Sequence, residues 1–353
     1  LTVLWLTWCR AIAGAGDATR MNGRAVPPQK KKQAWRIPMS QLGRFGFGRR
    51  TTAIWQKAAV LALLSLPIMG HAYAQQKTIA IIVPTLKITV LQTESAAAEA
   101  EAKKLGYRTI LLTHDFNTTR ELQDAQQLII EKVAGVAWNV ADPASSNFAV
   151  QKVRSAGIPV VNMDRVLTQP QVASASFQSD NFQCGALAAQ AFIGLVGNSG
   201  TYAELPGPQS DQMGRTRSAG YHSVLDKSGL KMVARQPANY DETRGFQLAG
   251  SILQGHPDIK GFVTGNDSIG LGAAAASKSQ GKTGIVVVGI DGGTDAQSAI
   301  ASGTSAFKAS AAQPVVAMGQ KAVDQLDVII RNASGGVAPG AVQLLPCTLL
   351  EKK

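Results

Sequence analysis

Three β-branched, apolar runs in this chain each stop at a polar cluster. Gly157-Ile-Pro-Val-Val-Asn-Met stops at Asp164-Arg165, Gly261-Phe-Val-Thr-Gly at Asn266-Asp267, and Gly284-Ile-Val-Val-Val-Gly-Ile at Asp291-Gly292-Gly293. Runs apolar on both faces are strands of a parallel sheet covered by helices on each side. In open α/β sheets, small molecules bind just past the carboxyl ends of the strands. A carboxylate, a guanidinium and an amide gathered there suit a small, hydroxyl-rich molecule, and point to binding ahead of catalysis.

The chain's formal charge of +12 would ordinarily suggest nucleic acid or a membrane surface. The charge is concentrated at one end. Residues 1–74 carry eleven Lys/Arg against one acid, Asp17, leaving 24 basic and 22 acidic residues for the rest. The folded part is thus nearly neutral, and no nucleic acid partner is expected.

Residues 39–74 read as an export signal. Arg49, Arg50 and Lys57 form a positive region, Ala58 to Met69 an apolar stretch, and Ala72-Tyr73-Ala74 a small-x-small cleavage site. Those twelve apolar residues would rise only ~18 Å as a helix, short of the ~30 Å of a hydrocarbon core. Residues 1–38 fit neither signal nor domain and are read as an upstream extension. A periplasmic location after cleavage near Ala74 is the expectation, through either the general secretory or the twin-arginine route. In an oxidising compartment Cys184 and Cys347 are free to pair, yet their separation favours two independently buried thiols.

From Gln75 the chain alternates strand and helix, and after Ser179-Asp180 the pattern begins again. This predicts two doubly wound parallel-sheet lobes joined by a multi-strand hinge. The first lobe is assigned residues 75–179 and 314–337, the second 180–313 and 338–353. The first helix is expected over 93–105, ended by Gly106.

Signs of catalysis are missing. Gly281-Lys282-Thr283 ends like a phosphate loop, but the required upstream glycine is Ala276 and the segment follows a helix. His114, His222 and His256 stand apart, without metal-ligand spacing. Neither a metal nor a cofactor is expected.

Six segments, in order, carry a resemblance: Lys104-Leu-Gly-Tyr107, Gly157 to Arg165, Arg215-Thr-Arg-Ser-Ala-Gly-Tyr221, Gln236-Pro-Ala-Asn-Tyr-Asp241, Gly265-Asn-Asp267 and Val288-Gly-Ile-Asp-Gly292. From Thr78 to Ile330 the chain resembles the type I periplasmic sugar-binding proteins, the ribose-binding group of ABC transporter receptors. The resemblance implies a non-catalytic, monomeric receptor that takes a sugar or polyol between its lobes and delivers it to a membrane permease. It implies that Asp164 and Arg165 grip hydroxyls from the first lobe, and Arg217, Asn266 and Asp291 from the second. Gln313 would lie at a hinge strand, with Tyr240 stacked on the ligand ring. Carboxylates only accept and guanidinium only donates, so together they satisfy both directions of a hydroxyl.

Plainer roles stand beside these: a structural Asp164–Arg165 salt bridge, helix caps at Asn266-Asp267, a turn at Asp291, and Arg215 in place of Arg217. The chain also departs from the family. Lys87-Ile88-Thr89-Val90-Leu91 replaces an amide and two aromatic rings, so a two-sided aromatic sandwich is expected to be lost. A polyol, tetrose derivative or furanose then fits better than ribose. Trp138 beside Asn139 is either a restored aromatic wall or core, and Lys87 either meets an anionic group or lies in solvent. Two rival functions share the fold or the chemistry. A LacI-type regulator would need a DNA-binding helix-turn-helix, and a carbohydrate hydrolase would need paired catalytic carboxylates.

Overall fold

The computed structural model describes residues 76–332, 336, 338 and 340–352. The expected export segment and upstream extension lie outside the described residues. The first half runs β1 (Thr78–Val83), α1 (Thr89–Lys104), β2 (Arg108–Thr113), α2 (Thr118–Glu131), β3 (Gly135–Trp138), α3 (Asn147–Ser155), β4 (Val160–Met163), a short 3-10 turn and β5 (Ala175–Ser179). The second runs α4 (Asn181–Val196), β6 (Ser199–Leu205), α5 (Gln212–Leu225), β7 (Gly229–Arg235), α6 (Glu242–Gly255), β8 (Gly261–Thr264), α7 (Asp267–Ser279), β9 (Val286–Asp291), α8 (Thr294–Ser302) and β10 (Phe307–Ala312). The chain ends with α9 (Val315–Ile330), β11 (Val342–Leu345) and β12 (Thr348–Glu351).

These strands form two six-stranded sheets, ordered β11-β5-β4-β3-β1-β2 and β12-β10-β9-β8-β6-β7. Every pairing is parallel except β10 with β12. Alternation along each strand feeds two cores per sheet. In β1, Ile79, Ile81 and Val83 pack with α1 and α9, through Ala98, Met318 and Leu326. Ala80 and Ile82 face the opposite core, with Leu128 of α2 and Val150 of α3. The second sheet does the same, Phe262 packing with α6 and α7 while Val263 packs with α4 and α5. Burial on both faces explains why these strands are uninterrupted apolar runs.

The terminal segment departs from the sequence reading. Residues 338–353 do not belong to the second lobe as a unit, because β11 pairs with β5 in the first sheet and only β12 joins the second. The chain therefore passes between sheets after β5, after β10 and between β11 and β12. The expectation of separate thiols is also corrected. Cys184 and Cys347 form a disulfide across 163 residues, with their Cα atoms 5.3 Å apart. Folding brings the tail back onto α4, where both residues are buried in one core. The first helix begins at Thr89, not residue 93. Its N-cap, Ile88, makes no side-chain capping bond, so nothing in the sequence marks that start.

Candidate functional site

The carboxyl ends of both sheets border one cavity of about 380 Å³. Asp164 and Arg165 follow β4, Asn266 follows β8, Asp291 ends β9 and Gln313 follows β10. All five line this cavity, as do Arg217 from α5 and Tyr240 from the loop between β7 and α6. A larger hollow, about 720 Å³, lies elsewhere on the second lobe, among Lys278, Lys282 and Lys308. It has none of these carboxylates or arginines.

Arg217 organises the second-lobe half of the site. It is 3% exposed, and its Nε donates to Asn181 Oδ1 at 2.8 Å. Its Nη1 donates to Gly265 O at 2.9 Å and to Asp291 Oδ1 at 3.3 Å. Burial opposes its charge, but Asp291, then Tyr240, Asp164 and Asp211, hold its pKa above the ordinary value. Helices α4 and α5 touch closely enough to place it because Gly185 and Gly220 lie at their contact. A Cβ on Gly185 would collide with the backbone of Arg217, and one on Gly220 with that of Phe182. Arg215, the competing candidate, is exposed and donates instead to Gln209 O.

Asp291 receives Gln313 Nε2 at 2.7 Å, while Gln313 Oε1 accepts from Ser179 Oγ at 2.8 Å. That chain links β9 to the passages after β5 and β10. Burial pushes the Asp291 carboxyl up to about 7 against the pull of Arg217. Asn266 has two tasks. Its Oδ1 caps α7 by accepting from Ile269 N at 3.0 Å, and its amide NH2 is left to the cavity. Asp267 has a different one, since its carboxylate takes Ser310 Oγ at 2.6 Å and the backbone N–H groups of Gly292 and Gly293. It fixes the turn that carries Asp291. Tyr240 is half-buried; its hydroxyl donates to Asp211 Oδ2 at 2.6 Å, and its ring packs over Gly207, where a Cβ would strike it.

The first-lobe half is built on two acids and an amide. Asp164 adopts a left-handed φ of 59° and is 7% exposed. It forms no ion pair with Arg165, whose Nη1 donates to Ala141 O at 3.2 Å. The Nδ2 of Asn139 donates to Glu94 Oε2 at 2.9 Å and to Asp164 Oδ2 at 3.3 Å. Glu94 Oε1 and Asp164 Oδ1 are both buried without a partner. Burial, with the charge of Asp164, pushes the Glu94 carboxyl up to about 8. Burial also raises Asp164, opposed by Arg217 and Arg165. Burial raises both carboxyls, and two full negative charges this close in a dry interior are disfavoured, so the pair favours holding a proton.

Three sequence candidates lie off the cavity. Trp138 is fully buried, with its indole N–H on Glu121 Oε1 at 3.0 Å, so it is core and not an aromatic wall. Asn139 supports Asp164 from behind without lining the cavity. Lys87 is exposed and does not line it either. Residues not foreseen do line it, among them Phe116, Asp142, Asp211 and Met213. The arginine of the pair sits over one of these: the Arg165 guanidinium carbon lies 5.0 Å from the Phe116 ring centre.

Residues 79–334 match the family model for a periplasmic binding protein domain. A D-apiose import binding protein from Actinobacillus succinogenes is 36% identical over 294 residues, covering 83% of this chain and 94% of that protein. The ribose import binding protein of Escherichia coli is 31% identical, covering 76% of this chain and 90% of the relative. A solved periplasmic solute binding protein from Actinobacillus succinogenes, with bound D-allose, shares the fold at a TM-score of 0.73 and 22% identity, covering 78% of this chain and 98% of that one. Two lobes whose strand ends face one polar cavity, and matches spanning nearly all the described residues, give one answer: the chain belongs to the periplasmic binding protein family.

Proposed function

We propose that this chain is the extracytoplasmic receptor of an ABC importer for a small cyclic sugar, D-apiose being the first candidate. One observation carries the reading. Asp164 and Arg165 from one sheet, and Arg217, Asn266 and Asp291 from the other, line a single cavity at the strand ends. Hydrogen bonds to charged partners contribute ~1.5–3 kcal/mol each, so three or four approach the ~8 kcal/mol of a micromolar complex before the cost of ordering. The relative at 36% identity is named for D-apiose import, and the cavity volume suits a furanose of that size.

The receptor works in the periplasm after cleavage near Ala74 and hands its sugar to a membrane permease. The Cys184–Cys347 disulfide fits an oxidising compartment. The ligand draws the lobes together by contacts made only when both reach it.

Titration calorimetry of residues 75–353 with D-apiose, D-ribose, D-allose and erythritol tests the reading. Micromolar binding of D-apiose, returned chemically unchanged, is the expected result. Binding of none of the four sinks the sugar-receptor assignment, and preference for D-ribose or D-allose replaces D-apiose as ligand.

A further inference from the structure

Phe116 and Tyr240 occupy equivalent places in the two lobes. Phe116 follows β2, the edge strand beside β1; Tyr240 follows β7, the edge strand beside β6. Each is the second of two consecutive left-handed residues, Asp115 (φ 48°) with Phe116 (φ 57°) and Asn239 (φ 57°) with Tyr240 (φ 59°). Each directly precedes a helix N-cap. Asn117 accepts from the N–H groups of Thr119 and Arg120, and Asp241 from that of Arg244. Both rings line the same cavity.

Bulky L-residues rarely take a left-handed φ, and they keep it only where their surroundings enforce it. Around Phe116 they do. Asp115 N donates to Pro84 O at 2.7 Å, tying the loop to the end of β1. The Asp115 carboxylate holds Arg120 at 2.7 Å, and Asn117 N donates to His114 O at 2.8 Å. The ring that this loop presents remains 43% exposed, so packing in the core does not account for its placement.

We infer that Phe116 is the first-lobe aromatic wall of the sugar site, the counterpart of Tyr240. It covers apolar C–H groups of the ligand and holds the Arg165 guanidinium at its face. The aromatic enclosure that the Lys87–Leu91 segment lacks is supplied from a different loop. Ile88, Val90 and Leu91 line the cavity beside it as an aliphatic floor. The inference rests on the sugar-receptor reading and names a residue that sets its selectivity for rings.

Phe116→Gly separates binding from folding, because glycine takes the left-handed backbone without steric strain, which offsets its larger loss of conformational freedom. With D-apiose as probe, the variant should bind at least tenfold more weakly than wild type. Its ligand-free melting temperature should stay equal or rise. Phe116→Tyr should remain within about threefold of wild type, since it keeps the ring. An unchanged dissociation constant in Phe116→Gly overturns the inference while leaving the receptor reading intact. A lowered ligand-free melting temperature in that variant assigns the ring to packing and overturns it as well. Absence of D-apiose binding by wild type moves the same comparison to D-ribose and D-allose; binding of neither removes the receptor reading and this inference together.

Discussion

Glu94 and Asp164 share one amide: Asn139 Nδ2 lies 2.9 Å from the first carboxyl and 3.3 Å from the second. The two hydrogens of that NH2 can serve both, but two full charges this close in a dry interior are disfavoured. Burial, with the Asp164 charge, pushes the Glu94 carboxyl up to about 8. One proton is therefore part of the folded structure.

That proton predicts a pH dependence of stability. An acid whose pKa is raised by folding keeps its proton in the folded chain after the unfolded chain has lost it. Its contribution is present below the unfolded value of 4.5 and is lost as pH rises toward about 8. Asp267, raised to about 6, and Asp291, raised to about 7, act in the same sense over lower ranges. The ligand-free melting temperature should fall between pH 5 and pH 8.5. Glu94→Gln should remove the part of that fall above pH 7, and parallel wild-type and variant profiles there would refute the neutral Glu94.

Arg217 is the counter-ion of a buried carboxylate. Arg217→Met strands Asp291 without it, and breaking a buried pair on one side costs about 3–5 kcal/mol. Chemical denaturation should report a loss of that order at pH 8 and a smaller one at pH 5, where Asp291 protonates. Sugar binding should disappear at both. A variant as stable as wild type at pH 8 would contradict the described network.

The double use of Asn266 predicts a separation of effects. Asn266→Ser retains an N-cap oxygen and deletes the amide NH2, so stability should change by less than about 0.5 kcal/mol while sugar affinity falls roughly tenfold. Asn266→Ala should lose the cap too, a further ~1 kcal/mol in thermal or chemical unfolding. Equal affinities for wild type and Asn266→Ser would place the amide outside the ligand shell.

Removing the disulfide should be a stability change alone. Cys347→Ser frees a loop of 163 residues, and loss of such a cross-link costs about 2–4 kcal/mol. Neither cysteine lines the cavity, so the dissociation constant for the sugar should stay within about twofold. A large loss of affinity in calorimetry would tie the tail to ligand binding directly.

What was legible in the sequence is what burial writes there. Strands covered on both faces must be apolar throughout, so the breaks at Asp164, Asn266 and Asp291 stood out as strand ends. Tertiary accidents are not written that way. Glu94 sits in a helix rich in Ala, Glu and Lys, where a glutamate reads as solvent-facing. Phe116 follows His114-Asp115 in what reads as an ordinary turn, and the left-handed backbone that presents its ring leaves no trace without glycine. Trp138 and Asn139 adjoin in sequence, yet one serves Glu121 and the other Asp164. The Cys184–Cys347 pair depends on a tail that visits both sheets, which no local pattern announces.

The bond between Cys347 and Cys184 settles where the last passage between the lobes has freedom to bend. Cys347 is fastened covalently to the first helix of the second lobe, and its N–H donates to Gln183 Oε1 at 2.9 Å. On the other side, Leu345 is clamped in register beside Ser179. Any turning of one sheet against the other must be absorbed by the single residue left between those anchors, Pro346, whose ring already fixes half of its own rotation. This passage is short and doubly anchored, and the crossing at Asp180 is tied to it, since Asp180 N donates to Leu345 O at 2.8 Å.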